Sequence, residues 1–218
     1  MKPLWISLLI LNAVVADAAK DRLPRFSNAQ FYDAKGNFLP EKAKDAYITL
    51  MKFHGYPVFP GLREKLAVTD FGTGRFLECG LGCIMFCNNE KDRYMLMDLF
   101  LLPKQMLPEH WHEATENNPA KLEGWLVRCG MSHIVGEGEP NLPADVLIPK
   151  CHNGGTVTVK HDVLASPGEF VPLNRAGAHH WQYGGPEGAI ITEVANVHDD
   201  AGVRLLDKKI NDAFHGRK

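Results

Sequence analysis

From Phe76 onward the chain breaks into apolar runs of five to ten residues separated by glycine, proline and asparagine. The runs fall at 76–87, 94–102, 107–112, 123–129, 156–159, 169–173 and 189–197. Several short strands in a row, with turn residues between them, predict an antiparallel sandwich or barrel. The stretch before them has a different texture. Ala43, Ala46, Tyr47, Leu50 and Met51 repeat with a helical period within 40–55, and Gly55 sits where a helix would stop. The tail "RLLDKKINDAFHGRK" reads as a final helix packed on the outside. At 218 residues and 45% hydrophobic content, the chain is long enough for one well-buried core and too short for two large domains. The expected layout is a helical extension over 19–75 packing on a barrel over 76–218.

Residues 1–18 stand apart from that layout. "MKPLWISLLILNAVVADAAKD" carries one early lysine, an apolar run from Pro3 to Ala16 and small residues at Ala16 and Ala18. This is the arrangement of an export signal cleaved near Ala18, and the run is short for a membrane span. The expectation is a secreted or periplasmic protein, cytoplasmic if the N-terminus is retained. Formal charge is −2, from 24 basic and 26 acidic residues spread along the chain. No basic block marks nucleic acid or an anionic membrane as partner. Five cysteines leave an odd thiol. Cys79, Cys83 and Cys87 fall four residues apart in a run read as a strand. Four strand residues span roughly 13 Å, beyond the roughly 7 Å Cα limit of a disulfide, so these three cannot pair with one another there.

The chemistry concentrates in "PEHWHEATENNPAKLEGWLVRCG", 108–130. His110 and His112 close an extended segment, and residues i and i+2 of a strand point to the same face. Two imidazoles therefore converge on one point; on a helix they would lie about 200° apart and could not share a metal. Glu113, Glu116 and Glu123 follow, and Glu123 alone leads a strand-like run that ends in glycine seven residues later, at Gly130.

These residues, with Gly177-x-x-His180 further on, resemble the cupins, whose first motif is His-x-His, a glutamate, six residues and a glycine. Their second motif is a glycine-rich turn that delivers a third histidine. On that pattern His110, His112, Glu123 and His180 hold one divalent ion, with Glu116 as second choice for the carboxylate and His179 as a neighbour. The resemblance narrows to the D-lyxose isomerase group through Asp70-Phe71-Gly72, Lys121, Glu193-Val194 and Asp199-Asp200. It runs over roughly residues 69–200. Two departures lie near the place of the sugar: "AGVRLLD" follows the double aspartate, and Gly124-Trp125 follows the glutamate where an acidic and an aliphatic residue are usual.

What the resemblance implies is a mainly β, cupin-type antiparallel barrel (jelly roll) with an N-terminal helical segment. The implied activity is metal-dependent aldose–ketose isomerisation of a free sugar of the D-lyxose/D-xylulose type. Three imidazoles and a carboxylate suit Mn²⁺, Fe²⁺, Co²⁺ or Zn²⁺, and the resemblance favours manganese. Glu193 would be the acid–base residue, on the strand after the one delivering His180. Lys121, sharing the face of Glu123 at i−2, would hold a sugar oxygen. A structural Lys121–Glu193 ion pair is the competing reading. Trp111, Trp125 and Trp181 flank the proposed ligands, and Arg204 is a weaker candidate for substrate contact. The remaining partner expected is a second copy of the chain, since exposed barrel sheets commonly pair. Competing functions are an Fe²⁺ cupin dioxygenase and a non-catalytic sugar-binding cupin.

Overall fold

A computed structural model describes residues 22–217, so the export signal expected at 1–18 lies outside the described residues. The strands are β1 (Ala67–Thr69), β2 (Leu81–Asn89), β3 (Tyr94–Leu101), β4 (Met106–His112), β5 (Glu123–Gly136), β6 (His161–Ala165), β7 (Phe170–Pro172), β8 (His180–Ala195) and β9 (Val203–Leu205). Their pairings are all antiparallel, and β5 and β8 run beside each other along nearly their whole length. The end of β8, from Ala189, also pairs with β3, whereas its beginning, up to Tyr183, pairs with β4. One half of the sheet therefore runs β1-β2-β3-β8-β5-β7 and the other β9-β4-β8-β5-β6. The sheet curls so that inward residues of both halves, among them Met97, Leu99, Leu107, Trp125, Ile191 and Leu205, form one core. This is the expected cupin-type antiparallel barrel.

Passing two long strands from one half to the other requires a bend in each. The β5–β8 register slips between Gly130 and Ser132, opposite the Gly184–Ala189 stretch. Gly130 has φ +67, and a Cβ there would lie 2.1 Å from the Gly188 carbonyl oxygen. An alanine would face both a left-handed backbone and a backbone clash that no rotamer relieves. Gly130→Ala should cost on the order of 3 kcal/mol and lower the melting temperature by about 10 °C, measured by thermal unfolding monitored by circular dichroism.

Both outer faces are partly covered. The helix α1 (Pro40–Phe53) starts with proline in its first turn and ends before Gly55, at φ +70. It buries Ala43, Ala46, Tyr47, Leu50 and Met51 against Ile84, Phe100 and Ile190 of the first half. Burying each large side chain there contributes about 1.5–3 kcal/mol. Tyr47 lies over Gly82, and its hydroxyl donates to Gln105 Oε1 at 2.8 Å. The second half is covered by the segment 137–160, whose Val146 packs with Met106, Val135, Trp181 and Tyr183. A short helix α2 (Leu62–Lys65) precedes β1, and α3 (Lys208–Phe214) closes the chain with Ile210 in the core.

Several strand limits differ from the sequence reading. The run at 156–159 is not a strand; β6 starts at His161. Side chains take its backbone groups instead: the Thr158 amide donates to Glu109 and the Val159 carbonyl accepts from Trp181. The run at 76–87 becomes strand only at Leu81, because Glu78 and Cys79 amides turn back to the Arg75 carbonyl. Cys79 is thus in a turn, not in the strand that carries Cys83 and Cys87. The run 123–129 is part of the longer β5, the run 189–197 stops at Ala195 as the end of the longer β8, and β1 and β9 add short edges.

Candidate metal centre and catalytic pair

His110 and His112 lie two apart on β4, and across the ladder His110 is paired with His180, the first residue of β8. Glu123 opens β5. The ligating atoms of the three histidines fall within 4.8 Å of one another. Glu123 Oε1 sits 3.2 Å from both His112 Nε2 and His180 Nε2. Cis ligands each about 2.1 Å from one metal ion lie about 3 Å apart, so the spacing is that of a shared ion. Glu116, the second choice, is exposed in the 113–122 loop. The Thr115 hydroxyl and Asn118 amide of that loop donate to Asp199, which ties it down and brings Glu123 rather than Glu116 to the histidines.

The proton positions strengthen the fit. His110 Nδ1 and His180 Nδ1 each lie 2.9 Å from a carbonyl oxygen, of Pro108 and Ala178 respectively, and so carry the ring proton. Their Nε2 atoms are then lone-pair donors turned to the centre. His112 Nε2, His180 Nε2 and Glu123 Oε1 are buried with no hydrogen-bond partner. For His180 this sets acceptor against acceptor at 3.2 Å, a repulsion that a cation between them would remove. Burial, with His180 and His112 nearby, holds His110 well below the usual imidazole range, and burial brings His112 down to about 4. Both are therefore neutral at pH 7, the form in which an imidazole can ligate a metal.

Beside this centre stand Lys121 and Glu193, each about 5% exposed. Lys121 Nζ is 2.8 Å from Glu123 Oε2 and also pairs with Glu193 Oε1. Lys121 lies two residues before β5, in the loop rather than on the strand. Glu193 is on β8 itself, thirteen residues after His180, not on a following strand. The expectation of two strands fails because the glycines between them bend β8 without ending it. Trp125 Nε1 donates to Glu193 Oε2 at 3.1 Å. Burial and the Glu123 carboxylate push Glu193 above the usual carboxylate range against the pull of Lys121. Burial opposes the Lys121 charge, yet Glu123 and Glu193 hold its pKa above the ordinary lysine value. Two buried acidic side chains stand against one buried lysine here, an excess of acid that a divalent cation would offset.

A cavity of about 480 Å³ opens on this group and is lined by His110, His112, Lys121 and Glu193. Met85, Met97 and Leu99 form apolar wall, while His198 and the exposed Asp200 add polar groups. The sequence reading missed His198 and Asp200 as a pair; His198 Nε2 is 2.9 Å from Asp200 Oδ1, and its ring is 6.3 Å from His112. The adjoining double aspartate was the available signal. Phe71 of the Asp70-Phe71-Gly72 segment also lines the cavity, held by Asp70 accepting from Tyr32 and from the Gly72 amide. Other candidates sit elsewhere. His179 faces outward, stacked 4.1 Å on Trp111 and 2.9 Å from Glu109. Trp181 belongs to the outer cluster, and Arg204 is engaged by Glu113.

A curled antiparallel barrel with His-x-His on one strand, a glutamate opening the next and a third histidine across the ladder is the arrangement of a cupin-type barrel with a candidate metal site. The chain matches the D-lyxose isomerase family over residues 65–212, and it belongs to that family. It is 32% identical to the D-lyxose ketol-isomerase of Cohnella laeviribosi, over 78% of this chain and 91% of that one. The D-lyxose/D-mannose isomerase of Thermosediminibacter oceani is also 32% identical, over 70% of this chain and 82% of the relative. Among solved structures, the fold resembles Cellulomonas parahominis L-ribose isomerase, with a TM-score of 0.61, 13% identity, and 84% and 96% of the two chains covered. Acinetobacter sp. DL28 L-ribose isomerase superposes with a TM-score of 0.58 at 12% identity, over 86% and 98%.

Proposed function

We propose that the chain interconverts a free aldose of the D-lyxose type and its ketose, using a divalent ion held by His110, His112, Glu123 and His180. The observation that carries this reading is the Lys121–Glu193 pair opening into the same cavity as His110 and His112. Manganese is the proposed ion; the mixed nitrogen–oxygen donor set suits it alongside Fe²⁺, Co²⁺ and Zn²⁺. When bound, such an ion polarises a carbonyl and its neighbouring hydroxyl and stabilises the negative charge that develops on them.

The remaining work falls to the chain's own groups. Glu193 takes the proton from the carbon next to the carbonyl and returns it to the adjacent carbon. Its raised proton affinity suits a group that must both accept and release. Lys121, pinned between two carboxylates, donates to a sugar oxygen and keeps Glu193 aimed. Trp125 fixes the other carboxylate oxygen and restricts rotation. The cavity offers Lys65 and the already paired Lys121 as its cations, which supports a free sugar over a sugar phosphate. The test is a panel of free aldoses given to the manganese-loaded chain, with ketose formation and oxygen uptake recorded together. Ketose without oxygen consumption is expected. Oxygen consumption, or sugar binding without product, contradicts the reading.

We also propose that the protein is exported. The support for this is the early Lys2, the apolar run from Pro3 to Ala16 and the small residues Ala16 and Ala18. The mature chain is expected to begin near Ala19 when sequenced from native cells; finding Met1 or Lys2 there overturns this.

A further inference from the structure

Cys79 and Cys151 stand 72 residues apart in sequence, yet their sulfurs are 3.4 Å apart. Cys79 is fully buried in the turn before β2, bridged to Met106 at the start of β4. Cys151 is half-buried in the covering segment, in a turn that ends with Gly154 and Gly155. We propose that these two thiols are a disulfide site, and that the bond staples the segment 137–160 to the barrel.

Bond formation needs the sulfurs to close by about 1.4 Å, to the roughly 2.05 Å of a disulfide. The turn that carries Cys151 is itself held, by the His152 amide on the Pro149 carbonyl and the Asn153 amide on Asp207, so the closure falls to the two cysteine side chains. The oxidant required is a small-molecule or protein disulfide, as an oxidising compartment provides. Cys151 acts first, being the more accessible thiol, with its pKa lowered by the hydrogen bond to Cys79. Its thiolate attacks one sulfur of the oxidant, the oxidant's S–S bond breaks, and one thiol leaves. Cys79 then loses its proton and attacks the Cys151 sulfur, expelling the second thiol. The protein pair loses two protons and two electrons, and the oxidant disulfide becomes two thiols.

The staple bears on the metal centre from behind. The covering segment is held to β4 by the Thr158 amide on Glu109 and to β8 by Trp181 on the Val159 carbonyl. Those two strands carry His110, His112 and His180. Closing a loop of this length restricts the unfolded chain and should raise the melting temperature by roughly 5–10 °C.

The experiment starts from the reduced full-length chain, oxidised with glutathione disulfide, alkylated and digested without reductant. A peptide linking Cys79 to Cys151 is expected, with Cys83 and Cys87 alkylated, and with the rise in melting temperature reversed by reductant. Cys151→Ser should abolish both the linked peptide and the rise. Recovery of Cys79 and Cys151 as alkylated thiols, linkage of either to a different cysteine, or a bond that leaves the melting temperature unchanged would overturn the proposal.

Discussion

Glu123→Gln should release most of the bound metal, lowering affinity by more than about 100-fold, since even changes behind a ligand cost 10–100-fold. The amide keeps an oxygen near His112 and His180 but removes the charge. Lys121 and Glu193 would then cancel each other, and the centre would lose the negative charge that draws a cation inward. Ketose formation should fall with metal content and recover in part at high manganese concentration. Glu116→Gln should leave metal binding and stability within about 0.5 kcal/mol of the parent, because the side chain is exposed and makes no ion pair with the histidines, unlike Glu123. Metal analysis of the two variants after gel filtration is the check. Loss of metal from the Glu116 variant alone contradicts the ligand assignment.

The second large effect is expected at Glu193. Glu193→Gln should retain its metal yet lose about 10²- to 10⁴-fold in turnover, the usual cost of removing a general base. The glutamine oxygen can accept from Lys121 or from Trp125 but not from both, so some stability should be lost with the fold retained; what disappears is a group able to accept and return a proton. Deuterium incorporation at the carbon beside the carbonyl should fall in step with turnover. Near-normal turnover would place the base elsewhere, with Lys121 next in line. Loss of metal would instead make Glu193 a ligand and reopen the role of Glu123.

Much of this architecture was readable before any fold was known, for a physical reason. The period-two placement of His110 and His112 survives whatever the neighbouring strands do, because alternation of faces is a local property of extended backbone. The same holds for α1, whose buried stripe is written at helical spacing. What escaped the sequence depends on distant parts of the chain. Gly130, Gly184 and Gly188 look like turn residues, and only the β5–β8 crossing shows that they bend long strands instead of ending them. The apolar run at 156–159 has strand composition, but Glu109 and Trp181 claim its backbone from afar. The contact of Cys79 with Cys151, and the meeting of His198 with the metal-facing His112, likewise arise only when loops far apart in the chain are folded over the barrel.

The most direct measurement is proton NMR of D-lyxose in D₂O with the metal-stripped chain, before and after manganese is restored. No change is expected before addition. After it, ketose signals should grow together with loss of the proton on the carbon beside the aldehyde as solvent deuterium enters. Isomerisation by the stripped chain at the same rate, or no ketose after full manganese loading, would contradict metal-dependent isomerisation.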